Sequence, residues 1–220
     1  LTSGYCDHSD SLGATARFGP GDAQWMTAGG GIEHAEMFPL RRRDADNPLE
    51  LFQLWLNLPA KNKLDEPSYR DFSPAEIPRI TLPSGVEAVV IAGQLCAGGV
   101  SQAGAVQRHD TEPQLFDLRL PAGAGLSPQL SDGLRVILYV FDGELLVGGK
   151  RLAKNQLARL SDQGELTLST SSGARVLLLA GRPIGEPVAQ QGPFVMNDQA
   201  EIRQAFLDYQ RTEFGGCPWE

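Results

Sequence analysis

His34 and Glu36, a histidine and a glutamate two residues apart, are the side chains in this sequence best placed to do chemistry. In an extended strand, residues i and i+2 point to the same face, so both side chains can be directed at one point. Imidazole and carboxylate groups together suit Fe(II), Mn(II), Ni(II) or Zn(II). A structural role is the alternative, but the preceding glycine triplet at 29–31 permits a sharp turn and close backbone approach. The spacing therefore predicts two metal ligands.

The remaining histidines and the cysteines form no second cluster by spacing. His8, in a polar turn-like run, and His109, in a polar linker, are both expected to be exposed to solvent. Cys6 could lie near the metal site, and Cys217 is expected to be exposed or semi-exposed. Together with Cys96 they make an odd number of distant cysteines without a CxxC pair, which is no disulfide framework and no zinc ribbon. That usage suits a reducing compartment.

Composition narrows the class of protein. The 220 residues carry a formal net charge of −8, which disfavours direct binding to a nucleic-acid backbone. No apolar run approaches the roughly 18 residues of a membrane span, and no signal-peptide pattern opens the chain. A cytoplasmic location is expected, or a nuclear one in a eukaryote.

Since the first residue is a leucine and not methionine, the chain is expected to be a fragment of a longer product.

Strand signals dominate the sequence. Short apolar or alternating runs, separated by Gly, Pro, Asn or Asp, predict strands at residues 50–58, 86–91, 114–120, 134–141, 144–147, 165–169 and 175–180. The dipeptide Asp142-Gly143 predicts a tight hairpin, and the run from Val147 to Lys150 predicts a second one. Many short strands with regularly spaced turns are typical of a sandwich or barrel.

Helix signals are confined to two places. Asp198 followed by Glu201 resembles a capping box, and Ile202, Phe206 and Tyr209 then form one apolar stripe at helical spacing. The sequence therefore predicts a C-terminal helix. A single helical turn is also predicted at 73–76, where a proline suits the first helical position.

The two halves of the chain echo each other loosely, which indicates a duplicated β-sandwich with a boundary near residue 110. The expected domains are 1–110 and 111–220. Bulky side chains of the first half are expected to line the interior of its sandwich, with ligand contact as the alternative: Trp25, Met26, Phe52 and Trp55.

Several runs together resemble the signature of the pirin family, and they extend over essentially the whole chain. They are Pro20-Gly21-Asp22, Gln24-Trp25-Met26-Thr27-Ala28-Gly29, Gly31-Ile32, His34-Ala35-Glu36-Met37, Leu54-Trp55-Leu56-Asn57-Leu58-Pro59, Glu66-Pro67-Ser68-Tyr69, Gly185-Glu186-Pro187-Val188 and Gly192-Pro193-Phe194-Val195-Met196-Asn197.

The resemblance implies an all-β fold of two cupin domains, each a jelly-roll β-sandwich or barrel, with a C-terminal helix. It implies one Fe(2+), held in the N-terminal cupin by three histidines and a glutamate, and a metal-free second cupin. His34 and Glu36 match the third histidine and the glutamate. The first two histidines belong to a His-Pro-His-Arg-Gly segment that is missing from this sequence.

Two functions are compatible with that resemblance. The first is an iron-dependent dioxygenase that acts on flavonols such as quercetin with O2, in which Glu36 also serves as general base. The second is a non-enzymatic regulator that responds to iron or redox state and binds a protein partner, as a transcriptional co-regulator or modulator of a metabolic enzyme. A chain without activity of its own is the third possibility.

Overall fold

The computed structural model describes residues 3–161 and 164–216, which form strands and one C-terminal α-helix, as predicted. The strands are β1 (Cys6–Asp10), β2 (Thr15–Phe18), β3 (Ala23–Thr27), β4 (His34–Met37), β5 (Ser68–Phe72), β6 (Arg79–Thr81), β7 (Glu87–Ala92), β8 (Gln94–Ala97), β9 (Val100–Ala103), β10 (Gln114–Leu120), β11 (Gly125–Leu126), β12 (Arg135–Val147), β13 (Lys150–Ala153), β14 (Gln156–Arg159), β15 (Leu168–Ser169), β16 (Ala174–Gly181), β17 (Ala189–Gln191) and β18 (Phe194–Met196). The helix is α1 (Gln199–Thr212), and short 3-10 turns lie at Ala60–Asn62 and Glu213–Gly215.

Two compact units divide the chain. One comprises Leu1–Pro74 and Ile184–Glu220, and the other is Ala75–Pro183. Compactness thus groups the C-terminal helix with the first strands, whereas the sequence predicts cupin domains at 1–110 and 111–220. That division stays a prediction.

Small antiparallel sheets build the first unit. Strand β1 lies between β2 and β4 in a three-stranded sheet, while β3 pairs with β5 and β17 pairs with β18. Because β1 has a partner on each side, four of its five residues are buried, although most of them are polar. This central strand carries part of the candidate site.

Helix α1 begins as the capping signal predicts. The carboxylate of Asp198 accepts the backbone N–H groups of Ala200 and Glu201 at 2.8 and 2.9 Å. Ile202 is fully buried, and Phe206 packs edge-on against Phe194 with ring centroids 4.7 Å apart. The apolar stripe of the sequence is therefore a packing face. No helix within the described ranges is long and apolar enough to cross a membrane.

A nine-stranded sheet forms the second unit. Its strand order is β11-β15-β12-β16-β10-β7-β6, with β13 and β14 also paired to β12. Strand β10 shows how the sequence positions the core: Phe116 and Leu118 are fully buried, while Asp117 and Arg119 lie on the opposite face. This alternation follows from the two-residue period of a strand with one face toward the core.

The two predicted hairpins have different outcomes. Val147 pairs with Lys150 across a glycine pair, so the second hairpin is confirmed. The hairpin at Asp142-Gly143 is wrong, because β12 continues through it, pairing with β16 up to Gly143 and with β13 from Glu144 onward. The predicted strands 134–141 and 144–147 are consequently one long strand.

Three other predicted elements differ in the structure. Residues 51–59 form no strand, because only Glu50 pairs, through an isolated bridge to Ser3, and Trp55 is 65% exposed. The expectation that Trp55 lines an interior is therefore wrong. Residues 73–76 form a turn without a helix, since Pro78 disfavours helical geometry in the residue before it. The strand predicted at 165–169 is reduced to β15.

Candidate metal centre

The pairing of β1 with β4 places polar side chains on one face of the sheet. The register sets His8 opposite Glu36 and Asp10 opposite His34. Within each strand the two residues are two positions apart, so all four side chains project to the same side. The register therefore places His34 and Glu36 on one face, as their spacing predicts.

His8 is buried, so its predicted exposure is wrong. The residue is only 2% exposed, and its ring stacks on that of Tyr69 with centroids 4.2 Å apart and an angle of 6° between the planes. Strand pairing on both sides of β1 removes it from solvent. A sequence signal for it did exist: His8 and Asp10 repeat the histidine–carboxylate spacing of His34 and Glu36.

The donor atoms of three residues converge. One ligand atom each from His8, His34 and Glu36 lies within 4.8 Å of the others. The Nδ1 atoms of both histidines are buried and have no hydrogen-bond partner within the described part of the chain. A buried polar atom without a partner is costly and calls for an explanation. Two imidazoles and one carboxylate are the donor set of non-haem Fe(II) oxygenases, so these residues fit the iron implied by the resemblance.

Asp10 forms a hydrogen bond with the Nε2 atom of His8. Its Oδ2 lies 2.9 Å from Nε2 of His8, and both side chains are fully shielded from solvent. Its Oδ1 accepts the backbone N–H groups of Leu12 and Ala14, each at 3.0 Å. Both carboxylate oxygens are therefore engaged, and the carboxylate is fixed relative to the turn after β1.

The glycine triplet shapes the approach to β4. Gly29 has a φ of +51°, and a Cβ at this position would overlap the carbonyl oxygen of Asp65. The next residue, Gly30, donates its N–H to that same oxygen at 2.9 Å. The close backbone approach that the triplet permits therefore occurs, and it sets the path of the chain into His34.

Two further ionisable groups lie beside the cluster. Burial, reinforced by the carboxylates of Glu36 and Asp7, raises the pKa of the Cys6 thiol to about 11. Burial also raises the pKa of the Tyr69 hydroxyl to about 12. In the metal-free chain both groups are protonated at neutral pH, so the anionic charge among these groups comes from carboxylates.

The other candidate residues are not among the three whose donors converge. His109 is exposed, as predicted, and Cys96 is half-buried; both belong to the unit Ala75–Pro183. They line a cavity of about 360 Å³ together with mostly polar residues. Cys217, predicted to be exposed or semi-exposed, lies outside the described residues.

Comparison with known proteins identifies relatives along nearly the whole chain. A family model described as Pirin matches residues 1–56, and one described as Pirin C-terminal cupin domain matches residues 115–215. A Pseudomonas aeruginosa protein named "Putative quercetin 2,3-dioxygenase" is 50% identical, covering 95% of this chain and 73% of its own length. Pirin of Homo sapiens is 35% identical, with coverage of 98% and 72%.

Solved structures point the same way. The crystal structure of a quercetin 2,3-dioxygenase from Acinetobacter baumannii matches with a TM-score of 0.83 and 30% identity, over 97% of this chain and 74% of that one. The comparisons therefore confirm both the family resemblance and the expected cupin fold.

Proposed function

Because the chain belongs to the pirin family, we propose that it is a metal-dependent dioxygenase that oxidises flavonols such as quercetin with O2. The observation that carries the proposal is the convergence of His8, His34 and Glu36, whose donor atoms lie within 4.8 Å of one another. The names of the relatives supply the substrate class. We assign the metal as Fe(2+), held by His34 and Glu36 with His8 as a further donor.

The donor set suits that chemistry. A bound ferrous ion supplies the redox capacity that O2 activation requires, which no side chain of the cluster has. His34 and His8 offer neutral nitrogen donors, and Glu36 offers a negatively charged oxygen. Three protein donors would leave room for other molecules to bind the ion, as oxygenase sites need.

Glu36 has a second role in the proposal. Its carboxylate is half-buried on β4 and takes the proton of a flavonol hydroxyl as general base. His8 and Asp10, each 2% exposed, close the floor of the site against water. Exclusion of water strengthens the electrostatic contacts within the site and protects reactive species from hydrolysis.

The test is a comparison of Glu36→Gln with the chain itself. Gln keeps the shape of the side chain but removes the charge and the basic oxygen, so quercetin-dependent O2 consumption should fall at least 100-fold. Glu66→Gln is the matched control, because Glu66 is an exposed carboxylate outside the cluster. Uptake of O2 is recorded with an oxygen electrode on Fe(II)-loaded protein whose iron content has been measured.

Two outcomes would contradict the proposal. Full turnover by iron-loaded Glu36→Gln would remove Glu36 from the mechanism. An iron-loaded parent chain that consumes no O2 with quercetin would exclude the dioxygenase function itself.

A further inference from the structure

The buried pair of His8 and Asp10 has an arrangement that the proposed function does not by itself require. Nε2 of His8 lies 2.9 Å from Oδ2 of Asp10, and neither side chain is reached by solvent. The other ring nitrogen, Nδ1, is buried without a hydrogen-bond partner in the described part of the chain. The two nitrogens of one ring therefore have opposite surroundings.

Those surroundings select one tautomer of the neutral imidazole. With the proton on Nε2, the ring donates to the carboxylate and Nδ1 carries a free lone pair. With the proton on Nδ1, the lone pair of Nε2 would face a carboxylate oxygen, and a buried N–H would lack an acceptor. An ionised carboxylate accepts hydrogen bonds only, so Asp10 disfavours the second tautomer at Nε2, and the lack of an acceptor disfavours it at Nδ1.

The position of Asp10 and the plane of the ring are themselves fixed. Oδ1 of Asp10 is occupied by the N–H groups of Leu12 and Ala14, which leaves Oδ2 for the histidine. Tyr69 lies parallel to the imidazole at 4.2 Å and restricts its rotation. His8 is therefore held in one orientation as well as one protonation pattern.

We propose that Asp10 is the positioning residue of this metal centre. It holds the proton of His8 on Nε2, so that Nδ1 keeps the lone pair that would bind the metal. The metal half of this inference rests on the proposed function; the tautomer half does not. Carboxylate–histidine–metal arrangements of this kind raise the basicity of the ligand and fix its orientation.

The tautomer is measured on metal-free, ¹⁵N-labelled protein at pH 8.5, where an ordinary imidazole is neutral. Two-bond ¹H–¹⁵N correlations from the His8 ring should identify Nε2 as the protonated nitrogen. In Asp10→Asn, the amide oxygen keeps the two backbone N–H groups and the NH2 group faces Nε2. Nε2 must then accept, so the proton should move to Nδ1.

Metal affinity gives the second readout. Ni(II), titrated calorimetrically as a probe that exchanges no electrons under these conditions, should bind Asp10→Asn about 10- to 100-fold more weakly than the parent chain. Asp7→Asn is the control: Asp7 lies on the same strand, faces the other way and pairs with Arg17. It should change neither the His8 tautomer nor the affinity.

Each outcome decides a part of the inference. A parent chain with the proton on Nδ1, or an Asp10→Asn variant with an unchanged tautomer, overturns the role of Asp10. A reversed tautomer with unaltered Ni(II) affinity overturns Nδ1 of His8 as a donor. A parent chain that binds no Ni(II) overturns the metal centre, and with it the proposed function, while the NMR result still decides what Asp10 does to His8.

Discussion

Asp110 forms the ion pair that shifts a carboxyl pKa most clearly in the unit Ala75–Pro183. The Arg108 guanidinium beside it holds the pKa of the Asp110 carboxyl down at about 2, with help from the N–H of Thr111. The two side chains are 2.7 Å apart and only 23% and 17% exposed. Because water reaches the pair only partly, its contribution should exceed that of an ordinary surface salt bridge.

Asp110→Asn should therefore lower the free energy of unfolding at pH 7 by about 1–2 kcal/mol. A carboxyl whose folded pKa is depressed stabilises the fold above its unfolded pKa, and that stabilisation is lost as pH falls through the folded value. The gap between parent and variant should thus shrink by roughly half at pH 3. Denaturant unfolding at both pH values measures it. Asp132→Asn, an exposed carboxylate, should show no such gap, and a gap independent of pH would contradict the argument.

At the same scale, period-two spacing was enough to place His34 and Glu36 on one face. It was not enough for His8, because polar residues are normally exposed and only the pairing of β1 on both sides buries this one. Trp55 shows the converse error. A large apolar side chain predicts burial, but Trp55 lies outside any strand and is left exposed.

At the scale of elements, Gly143 explains why a turn signal became a strand. It has a φ of +73° and is the last residue of β12 that pairs with β16; from Glu144 onward the strand pairs with β13 and β15 instead. A free peptide of this sequence favours a turn at this position, whereas in the folded chain the strand continues through it with a change of pairing partner. The pairing of β12 with β16, which is distant in sequence, keeps residues 142–143 in a strand. The local Asp-Gly dipeptide carries no information about that pairing.

Substitution of this glycine should be far more costly than substitution of a similar one nearby. In Gly143→Ala the new Cβ would overlap the carbonyl oxygen of Gly173, so the backbone of β12 must move away from Gly173; we expect a loss of about 2–5 kcal/mol. Gly148→Ala is the matched control, since Gly148 also has positive φ but no heavy atom within 4 Å of the new Cβ. It should lose about 1 kcal/mol. Equal losses in urea unfolding would show that backbone strain alone, without the close approach, sets the cost.

At the scale of the whole chain, strand content and the terminal helix followed from periodicity, and the cupin architecture from the family resemblance. The grouping of Ile184–Glu220 with Leu1–Pro74 did not, because contacts between distant segments leave no periodic signal in either one. The donor cluster belongs entirely to that unit, and the large apolar core that includes Phe116 and Leu118 belongs to Ala75–Pro183. A bound metal should consequently stabilise the two units unequally.

Hydrogen exchange with and without Ni(II) tests this inequality. A ligand at 100 times its dissociation constant stabilises the state that binds it by about 2.7 kcal/mol, so openings that separate β1 from β4 should become about 100-fold rarer. Amides of these strands should exchange correspondingly more slowly, as followed by mass spectrometry, because His8, His34 and Glu36 must stay together to hold the ion. Amides of β10, β12 and β16 should change little, since none of those strands contributes a donor. In Glu36→Gln the protection of β1 and β4 should be largely lost. Equal slowing in both units, or protection that survives in Glu36→Gln, would place the bound ion elsewhere.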